Sequence, residues 1–367
     1  MPSSPLLLQP RRRAALSLLK AAACISMLVT PVAMAKAAGS KAAPIDAWDA
    51  EAFSAATETP SIGQGSSGKA VVRAQILLDR LWYSPGEIDG RYGLNMQRVV
   101  RAFQSDAGVP RTGRVDKATW AALRGAGSGA SASASAASAA DAGSTGVQLL
   151  TTYKITDKDM GGPFQKTPTP MAERAKLDAL PYASVEEMLG ERFHISPALM
   201  AQMNPSQKLT AGSSIIVPNV ADTKPPARAR SIEIDKASKV LYLMSADGRT
   251  PVAAFPISIG NEKNDPLPIG EMKIRNEVSM PDFTYDPSLL KSVSSKDVEK
   301  LRIPPGPNNP VGSIWMGLSK PHWGIHGTPE PSKVGHSETN GCIHLTNWDA
   351  ERVSKLARAG FVVQVKP

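Results

Sequence analysis

Cysteine is nearly absent from this chain: there are two in 367 residues, Cys24 and Cys342. Histidine is scarce as well, yet four of the five (His322, His326, His336 and His344) fall within 23 residues around Cys342. No apolar run is long enough to cross a bilayer. The best, Ala21 to Ala35, has 15 residues, against the roughly 20 that a spanning helix needs. Zinc-site spacing is missing too: neither H-E-x-x-H nor a close pair of cysteines occurs. Cys342 with several histidines has the right ligand chemistry for zinc but no motif behind it. No cofactor and no metal are expected.

Arg11, Arg12, Arg13 and Lys20 precede or open that apolar run, which ends in Ala33-Met34-Ala35. A basic head, a short apolar stretch and an A-x-A end read as a secretory signal over residues 1–35, cleaved near Ala35. The arginine pair also fits a twin-arginine signal, less well. An exported, periplasmic protein is predicted. Cys24 would leave with the signal, which excludes an intrachain disulfide in the remainder. Exported proteins pair or avoid their thiols, so a lone Cys342 calls for an explanation. Removing the signal also leaves 38 basic against 33 acidic side chains. An excess of the same size, ten against five, lies in residues 61–124. That suits loose attraction to an anionic polymer and argues against nucleic acid as the partner.

Along the chain, residues 36–60 show no clear period and read as a flexible lead-in. Residues 125–146 are almost wholly Gly, Ala and Ser, a linker that cannot bury a core. Lys224-Pro225-Pro226 marks a shorter break. Three folded units remain: 61–124, 150–220 and 229–367. The breaks predict that the third unit carries its chemistry without the first two.

In the first unit, Val72, Ile76, Leu77 and Leu81 predict a helix that Ser84-Pro85-Gly86 breaks. A second helix carries Val99, Val100 and Phe103, and a short third carries Trp120 and Leu123. The stretch LLDRLWYSPGEIDGRYGLNMQRVVRAFQSDAGVPRTGRVDKATWAAL resembles the small three-helix peptidoglycan-binding domain. In the second unit, SVEEMLGERFHISPALMAQMNPSQKLTAGSSIIVP reads as helix, turn, helix and a strand at Ile215–Val217. It resembles the later part of a lysin-motif module, a βααβ glycan binder. The opening strand is placed at Tyr153–Thr156, with an insert longer than such a module has.

The third unit alternates as short strands do, at Ile232 and Ile234, Val240 and Tyr242, and Val252 through Ile259. A short helix is expected at Ser294–Leu301 and a longer one from Trp348 to Ala359, capped by Gly360. A last strand runs from Phe361 to Val365.

Near its end this unit reads WGIHGTPEPSKVGHSETNGCIHL. A thiol becomes a nucleophile when a nearby base favours the thiolate. A histidine can take that proton and return it to a leaving amine. Gly341 lets backbone N–H groups approach an oxyanion, so Asn340, Gly341 and Cys342 are candidate donors. Either His326 or His336 could be the base on composition alone.

The same segment resembles the catalytic motif of the L,D-transpeptidases, His-Gly followed by Ser/Thr-x-Gly-Cys. Pro268-Ile269-Gly270-Glu271, Tyr285-Asp286-Pro287 and Pro305 to Gly312 agree with it, so the likeness covers about residues 230–367. The resemblance implies a multidomain chain. Its mostly-β, β-sandwich-like catalytic domain follows a three-helix bundle and an α+β lysin-motif-like module. It implies Cys342 as nucleophile and His326 as base, with the Gly327 carbonyl orienting the imidazole. Thr339, His344, Tyr285 and His336 are the expected substrate contacts. Two positions depart from the family: Asn340 stands where His is frequent, and His344 where Arg is common. His loses its charge near neutrality and Arg does not.

The function implied is a peptidoglycan transpeptidase joining diaminopimelate residues of stem tetrapeptides, or anchoring a protein to the wall, through a thioester. Resolution by water would instead give a carboxypeptidase or a link-cleaving amidase. A non-catalytic wall-binding scaffold is the reading from another class; it would need neither Cys342 nor His326. Peptidoglycan, through stem peptide and glycan, is the expected partner.

Overall fold

The computed structural model describes residues 48–127, 147–221, 223–260, 266–289, 299–339 and 341–367. The signal over 1–35, most of the 125–146 linker, Asn340 and the 294–298 part of the expected helix lie outside the described residues. No helix among the described residues is long and apolar enough to cross a membrane.

The first helices are α1 (Ala50–Ala55), α2 (Lys69–Arg80), α3 (Leu94–Asp106) and α4 (Lys117–Gly127). The last three are the helices read from the apolar spacing. Val72, Ile76, Leu77, Val99, Val100, Phe103, Trp120 and Leu123 all point into one buried cluster. The first was not expected, because residues 36–60 lack a period. It forms because Asp49 Oδ1 accepts from the N–H groups of Glu51 and Ala52, an N-cap. Trp48 and Phe53 then bury beside it, with Lys69 over the Trp48 ring.

The second unit holds β1 (Leu150–Lys154), α5 (Asp157–Met160), α6 (Met171–Arg174), α7 (Val185–Arg192), α8 (Pro197–Met203) and β2 (Ser214–Pro218). Strands β1 and β2 pair antiparallel, Leu150 opposite Pro218 and Lys154 opposite Ser214. The βααβ order holds, with α5 and α6 as the extra insert. The opening strand starts and stops earlier than expected. Thr156 leaves it to cap α5, its hydroxyl accepting from Asp159 N while Asp159 accepts back from Thr156 N.

The third unit runs β3 (Ser231–Asp235), β4 (Val240–Met244), β5 (Pro251–Pro256), β6 (Gly270–Ser279), β7 (Phe283–Tyr285), β8 (Leu301–Ile303) and β9 (Ile314–Leu318). It continues through β10 (Gly324–His326), β11 (Ile343–His344), α9 (Asn347–Ser354) and β12 (Val362–Lys366). Leu301 therefore opens a strand, not the end of a helix. Helix α9 stops short of Ala359: Ser354 turns its hydroxyl back onto the Glu351 carbonyl, and Gly360 (φ 89°) serves a later turn.

Eight strands form one sheet in the order β11-β10-β9-β6-β12-β3-β4-β5. The sheet curls until its two ends touch. Just past β5, Ser258 N donates to the His344 carbonyl (3.0 Å) and His344 N to the Ser258 carbonyl (2.8 Å). Ile232, Ile234, Leu241, Phe255, Met316, Ile343 and Val363 fill the enclosed core. Strands β7 and β8 make a separate ribbon.

The units are not separable beads. Trp82, just past α2, is 2% exposed and belongs to the core of the third unit, edge-on to Phe255 at 6.3 Å. Val240 and Ala254 of the sheet return the exchange by packing into the core of the first two units. At the junction, Asp79 of α2 accepts from Arg352 of α9 (2.7 Å) and from His194 beyond α7 (3.0 Å), and Ser84 donates to Asp349 (2.7 Å). Burial opposes the charge on Asp79, but Arg352 and His194 outweigh it and hold the carboxyl well below its usual range. The break at Lys224-Pro225-Pro226 lies at the surface, while the apolar faces on either side of it meet each other.

Candidate active site

Strand pairing places the site. Strand β10 runs parallel to β11, with Ile325 opposite Ile343 and His326 opposite His344. It runs antiparallel to β9, with His326 opposite Trp315. Three rings therefore stand in one row across three strands. The His326 centroid lies 4.2 Å from His344 and 5.4 Å from Trp315, the latter nearly parallel at 21°. Cys342 directly precedes β11, in the bend that Gly341 opens. The seam where the sheet closes thus carries both histidines, with the thiol residue immediately before its last strand.

His326 is 2% exposed. Its Nδ1 donates to the Gly327 carbonyl at 2.7 Å, which fixes the proton on Nδ1 and leaves Nε2 as the basic lone pair. Burial pushes its pKa down to about 4, with the Gly327 bond opposing that shift. The imidazole is neutral at pH 7, as a resting general base must be. Gly327 cannot be replaced easily: a Cβ there would come 2.2 Å from Asn347 Oδ1. Asn347 is itself held, its Nδ2 donating to both oxygens of the buried Glu191 (3.0 Å each) while Oδ1 accepts from Ser313 N. Burial raises the Glu191 pKa to about 8.

Cys342 is half-buried, and its Sγ lies 3.6 Å from the His322 carbonyl. The turn before it needs glycine, since Gly341 has φ 122°. Thr339 shapes this turn, its hydroxyl donating to the Cys342 carbonyl at 2.8 Å and its N–H to the Ile259 carbonyl. Asn340, the third expected oxyanion donor, lies outside the described residues. Thr339 and His344 both line a cleft of about 570 Å³ beside the seam. Burial holds His344 well below the usual imidazole range, and His326 adds to it, so His344 presents no permanent charge there.

The remaining expected contacts separate. His336 is exposed, on the turn after a 3₁₀ segment at Pro331–Lys333, and its ring makes no hydrogen bond among the described residues. Tyr285 lies on the β7–β8 ribbon opposite Leu301 and is not among the residues lining the cleft. Sequence reasoning missed Trp315, Asn347 and Glu191. No strand was expected at Trp315, and only the β9–β10 register puts it on His326. Among the described residues no three His, Cys, Asp or Glu side chains gather as metal ligands would.

Residues 229–365 match the family of the L,D-transpeptidase catalytic domain (YkuD), and residues 67–123 match a family described as "Putative peptidoglycan binding domain". The chain is 30% identical over 175 residues to the "Putative L,D-transpeptidase YkuD" of Bacillus subtilis (strain 168), covering 47% of this chain and 88% of that protein. The protein of the same name from Bacillus licheniformis is 27% identical over 184 residues, 49% of this chain and 93% of that one. Among solved structures, an L,D-transpeptidase (residues 123-326) from Xylanimonas cellulosilytica aligns at a TM-score of 0.34 and 18% identity, over 85% of this chain and 98% of that one. The chain belongs to the L,D-transpeptidase family. It is an enzyme acting on peptidoglycan, with a peptidoglycan-binding domain in the same chain.

Proposed function

We propose that the enzyme works through a thioester on Cys342 and that His326 moves the protons. Nε2 of neutral His326 takes the thiol proton as Sγ attacks the carbonyl of the diaminopimelate residue in a tetrapeptide stem. The carbon–sulfur bond forms, the bond to the terminal D-alanine nitrogen breaks, and the imidazolium returns its proton to the leaving amine. An amine from a second stem, or from a wall-anchored protein, then attacks the thioester. Its proton passes through His326 back to the sulfur, leaving a new amide and a free thiol. Gly341 and Cys342 supply backbone N–H groups for the oxyanion of each tetrahedral intermediate. The second unit serves as a lysin-motif-like glycan holder, and the whole acts in the periplasm behind a cleaved signal.

The observation that carries this reading is the His326 Nδ1 bond to Gly327 O, on the strand that pairs with β11 directly after Cys342. Muropeptides incubated with the enzyme, followed by mass spectrometry of protein and products, test it. An acyl mass on the Cys342 peptide together with cross-linked dimers is the expected result. Stem tripeptides without dimers would show that water resolves the thioester. No adduct on Cys342 during turnover would overturn the mechanism.

A further inference from the structure

The cleft beside the seam is not made by the third unit alone. Thr339, His344 and Lys333 line one side, while Thr167, Met171 and Arg174 come from the insert of the second unit. That insert is fastened to the loop Pro305–Asn308. Leu180 N donates to the Pro305 carbonyl (2.8 Å), Asn308 N to the Leu180 carbonyl (3.1 Å) and Asn308 Nδ2 to the Pro181 carbonyl (2.9 Å). The wall is thus in place before any ligand enters.

Arg174 ends α6 and is half-buried at the cleft. Its Nε donates to the Pro168 carbonyl at 2.6 Å, which fixes the plane of the guanidinium. Its two terminal amino groups form no hydrogen bond or ion pair among the described residues. The other cation lining the cleft, Lys333, is engaged by Glu330. Thr167 in the same wall buries a hydroxyl with no hydrogen-bond partner, so hydrogen-bonding capacity as well as charge is left over on this side. Planar guanidinium with a free edge matches a carboxylate, two parallel N–H···O bonds at once.

We propose that Arg174 is a specificity-determining residue that binds a carboxylate of the donor stem peptide in this cleft, supplied by the insert rather than by the catalytic unit. The inference rests on the acyl-transfer reading for the identity of the donor. Glu187, Glu330 and Glu338 also line the cleft, and the Glu330 charge reaches Arg174 without a direct ion pair, so a zwitterionic peptide suits the cleft better than a simple anion. A diaminopimelate stem carries both signs.

The test measures binding without turnover. Cys342→Ala and Cys342→Ala/Arg174→Ala proteins are titrated calorimetrically with a stem tetrapeptide and with its carboxyl-amidated form. The full chain is used, and thermal melts accompany each variant. Loss of Arg174 is expected to weaken the free-carboxylate peptide about tenfold or more, one charge-assisted contact, and to leave the amidated peptide unchanged. Arg174→Lys is expected to recover part of the loss. Equal weakening of both peptides, or no weakening of either, overturns the proposal. A wild-type enzyme that binds the stem with this pattern yet never acylates would remove the thioester mechanism and leave the Arg174 site standing.

Discussion

Two histidines, His194 and His326, are both buried, both stacked on a tryptophan and both driven toward the neutral form by burial. Their surroundings differ in one respect. His194 lies 5.2 Å from Trp348 and meets Asp79, whose carboxylate also holds Arg352. The polar capacity around it goes into joining three units of the chain. His326 has no carboxylate. It gives Nδ1 to a neighbouring carbonyl and keeps Nε2 unbonded among the described residues. Burial alone does not distinguish a structural histidine from a basic one; the fate of the second nitrogen does.

The strongest way to break this comparison is at the thiol. Cys342→Ala is expected to abolish turnover while leaving the melting temperature near that of the parent, since the residue is half-buried and outside the core. Muropeptide product analysis beside a thermal melt checks both halves. His326→Ala should slow acylation by about 10²–10⁴-fold, the usual cost of a missing general base. His336→Ala should cost less than about tenfold, well short of that range. Single-turnover acylation read by mass separates the two, and the reverse ranking would move the base to His336.

At the structural histidine's site the expected effect is on stability. Asp79→Ala leaves the buried Arg352 with only the longer contact to Asp349 (3.8 Å) and should cost about 3–5 kcal/mol of unfolding free energy. Trp82→Ala, which empties a place in the third unit's core from the first unit, should cost a similar amount, about 3–5 kcal/mol. Urea unfolding gives both numbers. Were the units independent, neither change would shift the transition of the catalytic unit.

The smallest expected effect is in pH. With the folded pKa of His326 near 4, below its ordinary 6.5, the unfolded chain binds a proton first as pH falls. The His326 contribution to stability should therefore decline from about pH 6.5 down to about pH 4 and level off below. His326→Ala should flatten that part of the curve. On the kinetic side, the acid limb of kcat/KM is expected near pH 4 and not near 6.5; a limb at 6.5 would mean that the imidazole is far more solvated than the structure has it.

Much of this was legible in advance, because local patterns carried it. Helices α2, α3 and α4 follow from apolar spacing, and the proposal of a thiol-histidine pair rests on a scarce residue type concentrated in one stretch. What escaped was non-local. Trp82 reads as the frayed end of a helix, and nothing near it announces Phe255 far along the chain. Trp48 and Phe53 sit in a stretch with too few apolar residues to show a period, yet a single Asp49 cap suffices to order it. Trp315 and Asn347 acquire their meaning only from register and from a helix start folded under Gly327. Arg174 lies in an insert with no pattern at all. Periodicity describes what a segment buries, not what it is buried against.

Strand β12 lies between β6 and β3, in the middle of the eight-stranded sheet, although it is the last of those strands along the chain. Without β12 the strand order leaves two halves with a gap between β6 and β3. One half holds β3, β4 and β5, and the other holds β6, β9, β10 and β11. Each half presents an open edge ready to pair with another chain. Cys342 and His326 both precede β12 along the chain, so the proposed pair is made before the strand that completes the framework holding it. The sheet is complete only with β12 in place, and a change at the fully buried Val363 or Val365, away from the candidate site, is expected to be felt first as a failure to assemble.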